Sequence, residues 1–179
     1  MVYVLLGTGF EETEAIAPID LMRRAGIPVQ TVGLNGKVIY GGHGIGVEAD
    51  ITAHEMDLAS LELIMLPGGL GGVKSIRESK PAMDAIRFAY ENDKFVAAIC
   101  AGPTILAELG ITDGKDAVCY PGCEEEMGSA HMITAPWIRS GKVITGTSAG
   151  CAVPFGLGLV EALKGSEEAA RIKKQIVIL

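Results

Sequence analysis

The sequence has no long hydrophobic run and no tract rich in lysine or arginine. None of its apolar stretches approaches the roughly 20 residues that a membrane-spanning helix needs. The formal net charge is −7 at pH 7. A chain with excess acidic groups and no basic cluster is poorly suited to bind nucleic acid or an anionic membrane surface. These absences exclude nucleic acid and membranes as expected partners.

A secretion signal and a complete metal-binding pattern are also missing. Residues 1–7 have no basic region before a long apolar stretch, and they are typical of a first β-strand. We therefore expect a cytoplasmic protein whose four cysteines stay reduced; these are Cys100, Cys119, Cys123 and Cys151. Cys119 and Cys123 have an x3 spacing, but no second pair or nearby histidine completes a tetrahedral zinc site, so no metal is expected.

Apolar strands alternate with helical patterns along the chain. Such solidly apolar strands are typical of a parallel sheet that is covered on both faces. The predicted strands are 2–6, 28–34, 37–40, a short one near 47, 61–66, 95–99, 117–120, 133–138 and 142–147. The predicted helices are one ending near 24, then 80–92, 101–109, 149–164 and 166–174. We expect one α/β domain over residues 1–179, with a mostly parallel central sheet between helices.

Two local signals refine this prediction. Asn35-Gly36 is a turn signal that favours a hairpin between the strand 28–34 and the strand 37–40. Four loops are expected to leave the carboxyl ends of strands, where open α/β sheets place their functional sites. These loops are 7–14, 67–72, 100–103 and 146–150.

Cys100 stands at an abrupt change from a buried strand to a predicted helix. Pro103 suits the first turn of that helix, because the N–H it lacks would have no partner there. Free N–H groups and the helix dipole at such a turn lower a thiol pKa from about 8.5 to roughly 3.5–7.5. A reactive thiolate is one interpretation. A small apolar residue at the end of a core strand is the other.

Three acidic residues, Glu11, Glu12 and Glu14, begin the first helix. Acidic groups complement the dipole of the first turn of a helix, and this alone explains the presence of most of them. Pro18 has no N–H for the carbonyl of Glu14, so we expect either an irregularity there or a late start of the helix, and the irregularity would turn Glu14 toward Cys100. Burial and a neighbouring thiolate would raise the pKa of that carboxyl and keep it protonated, ready for proton transfer.

Backbone amides are the expected partners of a developing negative charge at this site. The run Pro67-Gly68-Gly69 exposes N–H groups with no Cβ in the way, and Ala101 adds another. Such donors stabilise an oxyanion or a sulfur-bound oxygen. A tight loop that needs glycine for its backbone conformation explains the same run without any function.

Several motifs resemble the ThiJ/PfpI family, in the branch of the parkinsonism-associated protein deglycase. They are the run 9–26, Leu-Pro-Gly-Gly at 66–69, Ala-Ala-Ile-Cys-Ala-Gly-Pro at 97–103, and the run 156–165. The resemblance implies a flavodoxin-like sandwich, a homodimer and no cofactor. It also implies that Cys100 is a strained nucleophile, that Glu14 is its protonated neighbour, and that Gly69 and Ala101 donate amide hydrogen bonds.

Two positions depart from the family pattern. The branch often has a histidine before a proline near the cysteine, and here that position is Tyr120. Its hydroxyl is a candidate accessory donor but a poor base at neutral pH, because a tyrosine pKa is near 10. The peptidase branch has a histidine directly after the cysteine, where this chain has Ala101. Peptidase activity is therefore not expected.

Two functions follow from the motifs and the resemblance. The first is an enzyme that acts through Cys100 on small reactive carbonyls or glycated adducts, like a glutathione-independent glyoxalase or a deglycase. The second is a stress-responsive, chaperone-like protein that senses peroxide by oxidation of Cys100.

Overall fold

A computed structural model describes residues 1–178 of the chain. The strands are β1 (Val2–Leu6), β2 (Val29–Gly33), β3 (Val38–Tyr40), β4 (Gly46–Glu48), β5 (Ile51–Thr52), β6 (Leu63–Leu66), β7 (Phe95–Ile99), β8 (Asp116–Ala117), β9 (His131–Met132), β10 (Trp137–Ser140) and β11 (Val143–Gly146). The helices are α1 (Glu12–Arg24), α2 (Leu70–Glu78), α3 (Lys80–Glu91), α4 (Pro103–Glu108), α5 (Ala152–Lys164) and α6 (Ser166–Gln175).

Seven strands form the central sheet in the order β10-β11-β7-β6-β1-β2-β5. All neighbouring pairs are parallel except β10 with β11. The strands β2-β1-β6-β7-β11 reproduce the 2-1-3-4-5 order of flavodoxin-like sheets when counted along the chain. The predicted α/β class and mostly parallel sheet are confirmed.

Helices cover both faces of this sheet, because its central strands are apolar on both sides. The helices α1, α5 and α6 pack on one face, and α2, α3 and α4 pack on the other. Gly156 lets α5 approach α1 closely, since a Cβ atom there would lie 2.9 Å from the Cα atom of Pro18. Within residues 1–178, no helix is both long enough and apolar enough to cross a bilayer.

The sequence-based assignment was wrong in several local details. β3 does not pair with β2; it pairs antiparallel with β4, with Ile39 opposite Val47. Residues 70–72, predicted as part of a loop, begin the helix α2, which sequence analysis did not assign and which buries Val73 and Ile76. The predicted strand 133–138 begins only at Trp137. α1 continues through Pro18 without a break, so the predicted irregularity is absent and Glu14 lies in a regular first turn.

Candidate active site at the carboxyl edge of the sheet

Cys100 follows β7 directly and has a backbone φ of +65°. Positive φ is uncommon for a residue with a side chain, and it stores strain that the surrounding structure must hold in place. Two backbone hydrogen bonds hold it here. The N–H of Cys100 donates to the carbonyl of Gly146 (3.0 Å), and the N–H of Tyr120 donates to the carbonyl of Cys100 (2.8 Å). The half-buried thiol is thereby fixed at the carboxyl edge of the sheet.

The side chain of Glu14 reaches this thiol from the first turn of α1. Glu14 is only 1% exposed. Its carboxyl group lies beside the Cys100 thiol, close enough for each group to shift the pKa of the other, and its Oε2 atom accepts the N–H of Gly68 at 2.9 Å. The carboxylate of Glu11 caps the helix by accepting the N–H of Glu14 at 2.7 Å. The structure thus brings Glu14, rather than Glu11 or Glu12, to the sulfur.

Two adjacent glycines close the other side of the pair. A Cβ atom on Gly68 would lie 2.5 Å from Oε2 of Glu14 and 2.6 Å from the Cβ atom of Cys100. Gly69 has φ +84°, and its Cβ would lie 2.5 Å from the carbonyl oxygen of Gly9. Neither position has space for a side chain. Sequence analysis missed Gly68 as the donor to Glu14, although it read the run that contains this residue as a source of amides.

Backbone N–H groups of Gly69 and Ala101 hydrogen-bond toward the Cys100 sulfur. Ala101 is buried in the turn before α4. Both amides lie near the sulfur of Cys100 and act to lower the pKa of its thiol. Donors in this position stabilise negative charge on sulfur or on an oxygen bound to it.

Burial is the main cause of the pKa shifts of both side chains. It raises the pKa of Glu14 to about 7, against the hydrogen bond with Cys100 and the amides of Gly68 and Ala149. Burial also raises the pKa of the Cys100 thiol to about 12 beside an ionised Glu14, whose negative charge adds to the rise. The lowered thiol pKa expected from the helix end is therefore corrected. α4 has only six residues, so its dipole does not offset the lost hydration.

The two groups form one coupled acid. When two sites interact this strongly, protons leave the pair in two steps that belong to both groups. The first step lies near neutral pH, because the carboxyl pKa is about 7. It leaves one proton and one negative charge, with either a thiolate facing a carboxylic acid or a thiol facing a carboxylate.

The hydroxyl of Tyr120 is not the part of that residue that contacts the cysteine. Its side chain is 49% exposed, and its backbone N–H makes the bond to the carbonyl of Cys100. In the part of the chain that the structure describes, none of the three histidines lies beside the sulfur of Cys100, where it could act as a base. His43 contacts Glu12, while His54 and His131 lie on other parts of the surface.

Glu11, Glu12 and His43 place ligand atoms within 4.8 Å of one another. Glu12 already accepts the backbone N–H of His43 at 2.8 Å and contacts its Nδ1 atom at 2.9 Å. These bonds attach the loop between β3 and β4 to the first turn of α1. The cluster therefore has a structural explanation that requires no ion.

Known proteins share this fold and sequence pattern. The DJ-1/PfpI family model matches residues 1–162. The Parkinson disease protein 7 homolog of Danio rerio is 34% identical over 182 residues, covering 98% of this chain and 95% of that protein. Deglycase PH1704 of Pyrococcus horikoshii is 29% identical over 156 residues, covering 87% of this chain and 92% of that protein.

A solved structure of a related protein has the same fold as this chain. Oxidized DJ-1 of Toxoplasma gondii has a TM-score of 0.94 to this chain at 29% identity, covering 98% of this chain and 97% of that one. The family match extends from β1 into α5 and includes Glu14, Gly69 and Cys100. The resemblance read from the sequence motifs is confirmed, and the chain belongs to the DJ-1/PfpI family.

Proposed function

We propose that the chain is a cofactor-independent enzyme that acts through Cys100 on small reactive carbonyls such as methylglyoxal. The observation that carries this proposal is the contact between the Cys100 thiol and the buried carboxyl group of Glu14. A nucleophile next to a proton carrier whose pKa is about 7 suits covalent acid–base chemistry at neutral pH.

The reaction begins with the singly protonated pair. Cys100 adds through its sulfur to the aldehyde carbon of methylglyoxal and forms a hemithioacetal, while the former carbonyl oxygen takes up a proton. The amides of Gly69 and Ala101 stabilise the charge that develops on this oxygen during the addition.

Glu14 then moves one proton between the two carbons of the adduct. Its carboxylate removes the proton from the carbon bonded to sulfur, which gives an enediolate, and returns a proton to the neighbouring carbon. The product is a thioester of lactic acid on Cys100. Water cleaves this thioester, releases lactate and restores the thiol, so the whole reaction adds one water to methylglyoxal with no external oxidant.

A deglycase reaction uses the same first contacts. The substrate would then be the adduct of a carbonyl compound with an amine or a thiol, and Cys100 would take over the carbonyl-derived group. The similarity to Deglycase PH1704 supports this substrate class. Both substrate classes need the same nucleophile, proton carrier and amides.

Formation of lactate from methylglyoxal tests this proposal. We expect the purified protein to produce lactate, measured by proton NMR, without added glutathione and in the presence of a metal chelator. The matched control is Cys151→Ser, which alters another half-buried cysteine at the same sheet edge and should keep the wild-type rate. Methylglyoxal loss without lactate, or no loss at all, would contradict the glyoxalase reaction.

We also propose a second candidate, peroxide sensing, because the same amides suit an oxidised cysteine. Gly69 and Ala101 donate toward the sulfur, where they would hold a sulfinate oxygen, and Glu14 would share a proton with it. The similar DJ-1 of Toxoplasma gondii is known in an oxidized form. In this role the protein would respond to stress as a chaperone-like partner.

Mild peroxide treatment separates this candidate from simple damage. We expect Cys100 to gain two oxygen atoms before the other three cysteines react, because the amides of Gly69 and Ala101 and the carboxyl group of Glu14 would stabilise its oxidised form. Intact mass and peptide mapping measure the order of oxidation. Equal or earlier oxygen uptake at Cys119, Cys123 or Cys151 would exclude Cys100 as a selective sensor.

We further propose that residues 1–179 act as one domain within a homodimer in the cytoplasm. Exposed apolar side chains occur on α1 and on the β3–β4 hairpin, namely Ile16 (42% exposed), Tyr40 (58%) and Ile45 (58%). Glu12 ties the loop of this hairpin to the first turn of α1. A second copy would cover these side chains, and the four free cysteines suit a reducing compartment.

A further inference from the structure

Cys119 and Cys123 lie on either side of a tight turn. The N–H of Cys123 donates to the carbonyl of Tyr120 at 2.9 Å. Pro121 follows Tyr120, and Gly122 has φ +100°. A proline followed by a glycine with positive φ is typical of a type II turn, which holds the residues at its two ends within 7 Å. The turn thus returns Cys123 to within about 7 Å of Tyr120, the residue that directly follows Cys119.

The two cysteines also share one small apolar cluster. Cys119 is 5% exposed and packs with Ala117 and Met127, and Cys123 packs against the same group from the more exposed side. The two sulfurs are near enough for the charge of one to raise the pKa of the other. Cys100 packs instead in the core under α1 and α5, so this dithiol is separate from the candidate active site.

A cavity of about 270 Å³ opens next to Cys119. Its lining includes Pro121 of the turn, Glu124, Ile133 and Thr147. This volume admits a small uncharged oxidant such as a hydroperoxide. The Cys119 thiol can therefore be reached without unfolding, while the carboxylate of Glu124 disfavours an anionic reagent.

We propose that Cys119 and Cys123 are a second redox site, which a hydroperoxide converts into a reversible intramolecular disulfide. The sulfur of Cys123, the more exposed of the two, attacks the peroxide and becomes a sulfenic acid as the O–O bond breaks and water or an alcohol leaves. The sulfur of Cys119 then attacks this sulfenic acid, forms the S–S bond and releases water. The two thiols lose two electrons and two hydrogens in total, and the peroxide gains them.

The turn between the cysteines connects this dithiol to Cys100. Tyr120 lies inside the loop that the disulfide would close, and its N–H donates to the carbonyl of Cys100. That carbonyl belongs to the same peptide group as the N–H of Ala101, which donates toward the Cys100 sulfur. A change in the turn therefore alters the polarisation of an amide that holds the reactive sulfur.

Peroxide oxidation in a Cys100→Ser background tests the proposal without interference from Cys100. We expect the intact mass to fall by two hydrogen atoms and a crosslinked peptide to join residues 119 and 123. Adding a thiol reductant should restore the mass. Because burial and the carboxylates of Glu124 and Glu126 raise the thiol pKa of Cys123, oxidation should be faster at alkaline pH.

The matched control is Cys123→Ser in the same background, with near-ultraviolet circular dichroism to verify its fold. This variant keeps Cys119, and its intact mass should not fall by two hydrogen atoms after peroxide treatment. Oxygen addition without a crosslink, or a crosslink to Cys151, would overturn the proposal. The effect on Cys100 is measured separately as its alkylation rate before and after peroxide treatment, in a chain that keeps Cys100 and in the same chain with Cys123→Ser, because direct oxidation of Cys100 is common to both. An equal change in the two chains would overturn the connection through Tyr120.

Discussion

Methylglyoxal consumption is expected to fall by at least about 1,000-fold when Cys100 is replaced by serine, because loss of a covalent nucleophile removes the whole reaction path. Serine keeps the shape of the turn, where φ is +65°. Its hydroxyl, however, has a far higher pKa than a thiol and is a poor nucleophile without a strong base. Initial rates of substrate loss measured against wild type give the ratio.

The Cys151→Ser variant controls for the exchange of sulfur for oxygen. Its side chain accepts a weak contact from the Ser148 hydroxyl at 3.9 Å and has no contact with Glu14 among the hydrogen bonds described. Equal rates in wild type, Cys100→Ser and Cys151→Ser would show that the chain does not consume methylglyoxal through a cysteine. They would leave the redox pair of Cys119 and Cys123 unaffected as a proposal.

The second large effect is expected from Glu14→Gln, which should lower the same rate by about 100- to 10,000-fold, the range for losing a general acid–base group. Glutamine keeps the size of the side chain and still accepts the N–H of Gly68. It cannot take up the proton that must move between the two carbons. The control Glu12→Gln makes the same change two residues earlier, where the carboxylate contacts His43, and should retain most of the activity.

Alkylation of Cys100 gives a readout of Glu14→Gln that does not depend on the reaction. In wild type, the reactivity of Cys100 should rise as the pair loses its first proton near pH 7, the pKa of Glu14. In Glu14→Gln this step should vanish, leaving only the ionisation of the thiol itself. A wild-type profile identical to that of the variant would show that the two groups do not share a proton.

The stability of the wild type should also depend on pH in a defined direction. The folded protein keeps the proton of Glu14 up to about pH 7, whereas the unfolded chain loses it near the ordinary value of 4.5. The unfolded state therefore binds fewer protons between these values, so the free energy of unfolding should fall as the pH rises through this window. Urea unfolding at several pH values should show less of this fall in Glu14→Gln.

Sequence alone determined the fold class and the edge that carries the site. Apolar strands such as 61–66 and 95–99 have no polar face, so they need cover on both sides, and this requires a parallel sheet between helices. Parallel strands end at one edge, so the loops after β1, β6, β7 and β11 had to meet there. The motif around Cys100 added the family, which the comparisons confirmed.

Only the tertiary structure decided which groups act on the sulfur and how they titrate. Glu11, Glu12 and Glu14 are the same residue type in one turn; the resemblance named Glu14, but the reason drawn from Pro18 was wrong, and the packing of a regular α1 on the sheet is what brings Glu14 to the sulfur. The partner of β3 and the length of α4 depend on contacts between distant residues. The direction of the pKa shift of Cys100 depends on burial, which removes water from the thiol and from Glu14 together. Burial results from the packing of distant segments, so it cannot be predicted from a local sequence pattern.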